Sequence, residues 1–300
     1  MQIEFNNRVA IVTGAGAGLG RSHALELAKR GAKVVVNDLG GAADGTGDSL
    51  TPAQEVAELI IQNGGEAIVS GANVTDYVQV EAMVGETMDK WGRVDILVNN
   101  AGILRDKSFA KMDLQDFQVV MDVHLMGSVN CTKAVWEIMR KQAYGRIAMT
   151  TSSSGMYGNF GQANYGAAKA AVVGFMNTLH IEGAKYDIRV NALSPVAHTR
   201  MTEGLIPEQF LKLLTPESVT AGLLTLVAEN SPNRTILCAG AGGYARTVIS
   251  ETDGIYLPPG EQTPENIMAA MNKISDMAGA QEFTQGSQQS EKFISKAMKA

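Results

Sequence analysis

The chain has 300 residues, of which 45% are hydrophobic and 19% charged, enough apolar material for a sizeable core. Its formal net charge of −6 argues against a nucleic acid as the main partner, because such binding depends on Lys and Arg side chains that neutralise phosphates. The sequence contains no run of 18 apolar residues that could span a membrane and no basic segment followed by an apolar run at its start. We therefore expect a cytoplasmic protein.

Short β-branched segments alternate with longer helical patterns along most of the chain. Helices are predicted over 19–32, from Pro52, over 77–91, between 100 and 145, around Tyr165 and near 207–229. The strands are predicted over 8–13, 33–38, 66–71, 94–100, 145–151, 188–194 and 235–240. Uninterrupted apolar strands that alternate with helices indicate a parallel sheet covered on both faces. We expect an α/β, doubly wound (Rossmann) fold of about seven strands over residues 1–243, followed by a partly helical extension over 244–300.

A glycine-rich segment, TGAGAGLG (13–20), joins the first predicted strand to the first helix. Backbone N–H groups at such a turn and at the helix start can bind a pyrophosphate, and missing Cβ atoms allow a close approach. Asp38 ends the second strand, where its carboxylate would bind ribose hydroxyls and repel a 2′-phosphate. This arrangement predicts NAD, rather than NADP, as the cofactor. The predicted contacts in the turn are Gly14, Gly16, Gly18, Leu19 and Gly20.

Two later segments fit the same ligand. Asn73 and Val74 follow the third strand, and NNAG (99–102) follows the fourth. Ligands of doubly wound sheets bind at the carboxyl ends of strands. We therefore add Asn73, Val74, Asn100, Ala101 and Gly102 to the predicted cofactor site.

The segment SSSGMYGNFGQANYGAAK (152–169) carries the candidate catalytic residues. Tyr165 and Lys169 are four positions apart, so on a helix they share one face. An isolated pair of this kind is usually an ordinary surface contact. A nearby ammonium can also lower the pKa of a phenol, which is a poor base at its normal pKa of about 10. Ser152 could hydrogen-bond a substrate oxygen and hold it beside the phenol.

Taken together, these motifs closely resemble the short-chain dehydrogenase/reductase family over about residues 6–240. The matching features are the turn T-G-x-x-x-G-x-G, NNAG, Tyr-x-x-x-Lys and a Ser 13 positions before the Tyr. The resemblance implies that Ser152, Tyr165 and Lys169 are catalytic, and that Tyr165 and Lys169 also contact the cofactor. It further implies that Thr199 contacts the nicotinamide carboxamide, and that the chain forms a homodimer or homotetramer.

A narrower likeness is to the (3R)-hydroxyacyl-CoA dehydrogenase unit of peroxisomal multifunctional enzyme type 2, a 17β-hydroxysteroid dehydrogenase type 4-like group. It is carried by VVVNDLGG, NNAGILRDKSFAKM and GMYGNFGQANY, and it continues beyond residue 240. It implies oxidation of (3R)-hydroxyacyl-CoA, with a steroid as the other small-molecule substrate class. The alternatives are a hydroxysteroid dehydrogenase, a 3-oxoacyl carrier-protein reductase, which typically uses NADPH, and a non-catalytic NAD-binding scaffold. His124 stands where most of the family has Asn, and its role stays open.

Several polar and aromatic residues are weaker candidates. Arg105 and Asp106 could line the substrate mouth or form a loop salt bridge. The four histidines show no ligand-like spacing, so no metal site is predicted. Possible walls of the substrate pocket are Met156, Tyr157, Phe160 and Met201.

Overall fold

The computed structural model describes residues 2–197 and 208–299. In these ranges the chain forms one eight-stranded sheet in the order β3-β2-β1-β4-β5-β6-β7-β8, and the six pairings from β3 to β7 are all parallel. The strands are β1 Val9–Thr13, β2 Lys33–Asn37, β3 Ala67–Ser70, β4 Ile96–Asn99, β5 Gly145–Thr150, β6 Ile188–Val196, β7 Ile236–Gly240 and β8 Gly243–Thr247. The doubly wound α/β fold predicted from the sequence is confirmed.

The eighth strand is the difference from the expected seven. β8 forms one edge of the sheet, next to β7, and its residues are mostly exposed. Its sequence, GYART, lacks the apolar run by which the other strands were recognised, so the pattern placed it in the extension instead.

Helices cover the sheet on both faces. Over the larger part of the chain they are α1 Gly18–Lys29, α2 Thr51–Gln62, α3 Tyr77–Trp91, α4 Leu114–Met121, α5 Gly127–Gln142, α6 Ser153–Tyr157, α7 Ala163–Gly183, α8 Glu208–Leu211 and α9 Pro216–Val227. Apolar side chains of α1, α2 and α9 pack in one core with Ala10 and Val12 of β1. Those of α3, α5 and α7 pack in a second core with Ile11, because successive strand residues point to opposite faces.

The connection between α4 and α5 is a π-helical turn, Asp122–Met126. Such a turn is often found at functional sites. It contains His124, which is buried.

Charged side chains close the sheet at the amino ends of its strands. The Arg146 side chain is fully buried, and its guanidinium donates to the backbone carbonyl oxygens of Asp187, at 2.6 Å, and Glu229, at 2.7 Å. The ring of Tyr144 lies between two guanidinium groups, with its centroid 3.7 Å from Arg8 and 4.1 Å from Arg146. This cluster stabilises the end of the sheet that lies away from the carboxyl ends of the strands.

The chain divides into two compact units, residues 1–246 and 247–300. The smaller unit contains α10 Pro264–Ala269, α11 Met271–Ile274 and α12 Ser287–Lys299. Within it, the ammonium of Lys292 lies 2.7 Å from a carboxylate oxygen of Glu251, and that of Lys296 lies 2.7 Å from one of Asp253. Across the described ranges, no helix has both the length and the apolar character needed to cross a membrane.

Candidate active site

The carboxyl ends of β1, β2, β4 and β5 open into one cavity of about 950 Å³. It extends from the glycine-rich turn to the middle of α7, so most of the predicted site residues line a single space. These are Gly14, Gly18, Leu19, Gly20, Asp38, Asn73, Val74, Asn100, Ala101, Gly102, Ser152, Tyr165 and Lys169.

Two predicted contacts are not among these residues. Gly16 is not part of the cavity wall; its backbone N–H is bound by the carboxylate of Asp38. Thr199 lies outside the described residues, as does the wall candidate Met201.

The glycine-rich turn depends on residues without side chains. Gly14 has a φ of +64°, and a Cβ on Gly20 would lie 2.0 Å from the carbonyl oxygen of Gly14. Residue 20 therefore has to be glycine for the turn to close. The N-cap of α1, Ala17, provides no side-chain hydrogen bond to the first turn of the helix. The N–H groups at this helix end can bind an anionic ligand.

The carboxylate of Asp38 is held at both of its oxygens. Oδ2 accepts the N–H of Gly16 at 2.7 Å, and Oδ1 accepts the N–H of Gly40 at 2.6 Å. A carboxylate oxygen can accept more than one hydrogen bond, so both remain able to bind ribose hydroxyls. Asp38 is thus oriented towards the cavity by the backbone on either side of it.

The NNAG segment is fastened to the glycine-rich turn. The hydroxyl of Thr13 accepts the N–H groups of Asn100 and Ala101, both at 3.0 Å. The amide of Asn100 donates to the carbonyl oxygens of Thr13, at 2.9 Å, and Gly14, at 3.1 Å. These bonds fix the two cofactor-side segments relative to each other.

Ser152, Tyr165 and Lys169 come together at the inner end of the cavity. Ser152 acts on the phenol of Tyr165, whose pKa its hydroxyl lowers. The ammonium of Lys169 lies 5.5 Å from the centre of the Tyr165 ring and donates to the carbonyl oxygen of Thr150 at 2.6 Å. Positions 165 and 169 lie on the same side of α7. The two side chains are therefore close together, as their spacing in the sequence predicts.

Burial dominates the electrostatics of this group. It raises the pKa of Tyr165, which Ser152 lowers and the negative charge of Asp106 raises further. Burial also lowers the pKa of Lys169 to about 7. That Lys169, together with the charge of the oxidised nicotinamide, favours the phenolate of Tyr165 stays a prediction.

His124 lies beside this group. Its ring packs edge-to-face against Tyr165, with centroids 5.2 Å apart and planes at 86°. Its Nε2 accepts the backbone N–H of Ile103 at 3.1 Å and lies 2.8 Å from the carbonyl oxygen of the same residue. Burial, and secondarily the charge of Lys169, hold the pKa of His124 well below its usual value, so the imidazole is neutral at physiological pH.

Arg105 and Asp106 hold the loop after the NNAG segment against the residues around it. Arg105 forms an ion pair with Asp116, at 2.9 Å, and its carbonyl oxygen accepts the amide of Asn164 at 3.0 Å. Asp106 accepts the amide of Gln162 at 2.6 Å. Of the two alternatives for Arg105, the structure shows the loop salt bridge.

Some of the cavity wall was not predicted. The loop after β2 contributes Ala42, Ala43 and Gly45, and α5 contributes Asn130, whose amide donates to the carbonyl oxygen of Val74 at 2.9 Å. Gln162 also lines the cavity. Asn130 is a polar residue on an otherwise buried helix face, and this pattern could have identified it as a cavity residue.

The aromatic wall candidates lie outside this cavity. Phe160 is 90% exposed, and Tyr157 is 72% exposed. Met156 packs against one of the two cores instead. Within the described part of the chain, no three or more His, Cys, Asp or Glu side chains are grouped so that they could hold a metal ion.

Comparisons with known proteins agree with this geometry. Residues 8–209 match the short chain dehydrogenase family. The chain is 44% identical over 277 residues to a short-chain type dehydrogenase/reductase of Mycobacterium tuberculosis, covering 91% of this chain and 96% of the relative. It is also 44% identical over 281 residues to the peroxisomal multifunctional enzyme type 2 of Mus musculus, covering 93% of this chain but only 38% of that longer protein.

Among solved structures, the chain is similar to 7α-hydroxysteroid dehydrogenase complexed with NADH and 7-oxo glycochenodeoxycholic acid. The TM-score is 0.72 and the identity 28%, and the match covers 80% of this chain and 95% of that one.

Proposed function

Because the chain belongs to the short-chain dehydrogenase/reductase family and is an oxidoreductase acting on CH–OH groups, we propose that it interconverts (3R)-hydroxyacyl-CoA and 3-oxoacyl-CoA with NAD. The observation that carries the proposal is the convergence of Asp38 and the Ser152–Tyr165–Lys169 group on one cavity. The substrate class is supported by the 44% identity with the peroxisomal multifunctional enzyme.

The residues of the cavity fit a dinucleotide. The start of α1 offers N–H groups to a pyrophosphate, and Gly14 and Gly20 let the turn before it close against itself and the NNAG segment. Asp38 would bind the adenosine ribose, and its negative charge would repel the 2′-phosphate of NADP. Leu19, Asn73, Val74 and the NNAG segment would form the rest of the cofactor wall.

In the proposed reaction, Ser152 hydrogen-bonds the substrate oxygen and places it beside Tyr165. Tyr165 removes the hydroxyl proton as the C–H bond breaks, and it returns a proton in the reverse direction. Lys169, whose ammonium donates to the carbonyl oxygen of Thr150, would bind the nicotinamide ribose hydroxyls and favour the phenolate. Bound NAD supplies the hydride acceptor and a positive charge that favours the phenolate. That charge is needed because burial raises the pKa of Tyr165.

A hydroxysteroid dehydrogenase is the second candidate, supported by the similarity to the 7α-hydroxysteroid dehydrogenase structure. A 3-oxoacyl carrier-protein reductase is a third candidate, but it typically uses NADPH, which Asp38 disfavours. A scaffold without catalysis would not need the three catalytic candidates together.

The proposal is tested with a panel of R- and S-3-hydroxyacyl-CoAs and hydroxysteroids, each with NAD and with NADP, by following the absorbance of the reduced cofactor. We expect turnover of the R thioesters with NAD. In Tyr165→Phe we expect turnover to fall by about 10²-fold or more with NADH binding retained. Preferential turnover of S thioesters or of steroids, or a preference for NADP, would contradict the corresponding part of the proposal.

The location and assembly of the protein are also proposals. A homodimer or homotetramer is supported by family membership and by a groove at the ends of α5 and α7 that is lined by Trp136, Arg140, Ile181 and Tyr186. Measuring the mass in solution, in wild type and in Ile181→Asp, tests whether this surface joins subunits. The proposed cytoplasmic location is tested by cell fractionation.

A further inference from the structure

The loop that follows β2, residues 39–50, lines the cavity, but the proposed mechanism gives it no role. Ala42, Ala43 and Gly45 are in the cavity wall, which also contains Asp38 at the end of β2. A dinucleotide held by the carboxylate of Asp38 would therefore lie beside this loop.

The loop is closed at its base. The N–H of Ser49 donates to the carbonyl oxygen of Leu39 at 2.9 Å, so the two ends of the loop lie together. Next to this bond, Gly40 has a φ of +76°, and a Cβ there would lie 1.6 Å from the carbonyl oxygen of Ser49. Loops with adjoining ends are compact surface units. A base of this kind is a suitable hinge, because hinges are a few loop residues that absorb changes in φ and ψ.

The tip of the loop, residues 42–47, is held together by its own hydrogen bonds. The N–H of Ala42 donates to the carbonyl oxygen of Thr46 at 2.8 Å, and the N–H of Gly45 donates to that of Ala42 at 3.0 Å. The carboxylate of Asp44 accepts both the N–H of Thr46, at 3.0 Å, and its hydroxyl, at 2.7 Å. All of these bonds are local, so the tip can move as one body without breaking them.

Within the part of the chain that the structure describes, two hydrogen bonds join this tip to the rest of the protein. The carbonyl oxygen of Ala43 accepts the N–H of Leu104 at 2.9 Å, and that of Asp44 accepts Nε–H of Arg105 at 3.1 Å. Both donors belong to the segment after β4, and β1 lies between β2 and β4 in the sheet. The tip thus reaches across the end of β1, where the glycine-rich turn begins, and closes this side of the cavity.

We propose that residues 39–50 form a gate for the dinucleotide, hinged at Gly40 and latched by Arg105. The cofactor enters and leaves when the tip separates from Leu104 and Arg105, and the tip closes beside the cofactor once it is bound. Because few contacts hold the tip, opening it costs much less free energy than unfolding the core. The gate rests on the proposed function only in that a nicotinamide dinucleotide binds in this cavity.

Replacing Arg105 with Met tests the latch. Methionine keeps an unbranched side chain but removes the donor to the carbonyl oxygen of Asp44. A gate limits binding in both directions, so the rates of NADH association and dissociation should both rise, by about fivefold for one lost hydrogen bond. A loop that is only a wall would change the dissociation rate alone. Stopped-flow measurement of NADH fluorescence gives both rates without turnover.

Asp116→Asn is the matched control for this substitution. It weakens the ion pair that Arg105 forms at 2.9 Å but leaves the donor to Asp44 in place. We expect both NADH rates of D116N to stay within about twofold of the wild type, since a partly exposed ion pair contributes little.

A disulfide between the loop and the segment after β4 tests the gate with the latch intact. A Cβ on Gly45 would lie 3.8 Å from Cβ of Ile103, a normal separation for a disulfide. In the double variant Gly45→Cys, Ile103→Cys, oxidation should slow NADH association and dissociation, and reduction should restore both rates. Gly45 has a φ of +85° and both residues line the cavity, so the reduced form of the same variant is the reference. Mass spectrometry identifies the cross-link.

An association rate of R105M within about twofold of that of D116N would overturn the gate. Equal rates in the oxidised and reduced forms of the cross-linked variant would do the same. If R105M does not fold, the cross-link decides, and if the disulfide does not form, R105M decides. A wild type that binds neither NADH nor NADPH would reject the proposed function together with the gate, whereas unaltered rates in variants that bind NADH would reject the gate alone.

Discussion

The carboxylate of Asp38 accepts the backbone N–H of Gly16 at 2.7 Å, which joins the end of β2 to the glycine-rich turn after β1. A Cβ on Gly16 would lie only 2.9 Å from the same oxygen. A glycine at position 16 thus leaves space for the Asp38 carboxylate and donates a hydrogen bond to it, although Gly16 does not line the cavity. The orientation of Asp38 is set by the fold, so its effect on cofactor choice can be tested with an isosteric change.

Replacing Asp38 with Asn should weaken the preference for NAD. The amide keeps the size of the carboxylate and removes the charge that repels a 2′-phosphate; it also gives up the hydrogen bond from Gly16 or Gly40, because an amide nitrogen cannot accept one. We expect the ratio of kcat/KM with NAD to that with NADP to fall by about tenfold or more. Asp44→Asn, on the same loop but outside the cavity wall, is the control and should leave the ratio unchanged. An unaltered ratio in D38N would show that Asp38 does not select the cofactor.

Lys169 should make the stability of the protein depend on pH. Its pKa is lowered from 10.5 to about 7 in the folded state, so between these values the unfolded chain binds more protons. The free energy of unfolding of the wild type therefore rises with pH across this window, relative to a variant without the amine. We expect Lys169→Met to be favoured most below pH 7, with the advantage shrinking by on the order of a few kcal/mol towards pH 10.

Urea denaturation of both proteins at several pH values between about 6 and about 10 measures this difference. Lys29→Met, which removes an exposed ammonium, should show no such trend. A difference between K169M and wild type that does not change with pH would mean that Lys169 is not desolvated.

Asp106 should influence the pH dependence of alcohol oxidation. Its charge raises the pKa of Tyr165, second to burial. Asp106→Asn removes the charge, and its amide oxygen can still accept the hydrogen bond from Gln162. Because oxidation requires the phenolate, the rise of kcat/KM with pH should move to lower pH in D106N. Asp113→Asn, at the N-cap of α4, is the matched control. A rise that stays in place or moves to higher pH would contradict the prediction.

Two glycines should respond oppositely to alanine. At Gly20 the new Cβ would meet the carbonyl oxygen of Gly14 at 2.0 Å, so the backbone must shift. We expect a loss of about 1–3 kcal/mol in the free energy of unfolding, together with weaker NADH binding. At Gly85, within α3, no atom lies within 4 Å of the added Cβ. There we expect a gain of about 0.5–1 kcal/mol, since alanine favours the helix. Thermal unfolding and NADH fluorescence of both variants provide the measurements.

The main features of the fold follow from local patterns. Segments such as VAIVT and KVVVN are continuous apolar runs, and such a run is enough to predict a strand that is buried on both faces of a sheet. The strand Gly243–Thr247 escaped prediction because it is polar and lies at the sheet edge, where pairing with β7 rather than burial makes it a strand.

The site was predictable wherever its residues are close in the sequence. Tyr165 and Lys169 needed only helical spacing. The contact of His124 with Gly102 and Tyr165 joins three separate segments, and no local pattern encodes it. The influence of burial on the pKa of Tyr165 was missed for a related reason: the sequence shows that a lysine is near but not how far both groups are removed from water.

The π-helical turn between α4 and α5 makes this region sensitive to chain length. A π-helical turn holds about one residue more than an α-helical turn, so the five residues of Asp122–Met126 cover roughly the rotation of four α-helical ones. Deleting one of them would therefore join α4 and α5 into one continuous helix with little change in their relative rotation, but it would remove the bulge that contains His124. Substitutions in this turn change single contacts, whereas a one-codon deletion would abolish the bulge and with it the position of the imidazole beside Tyr165.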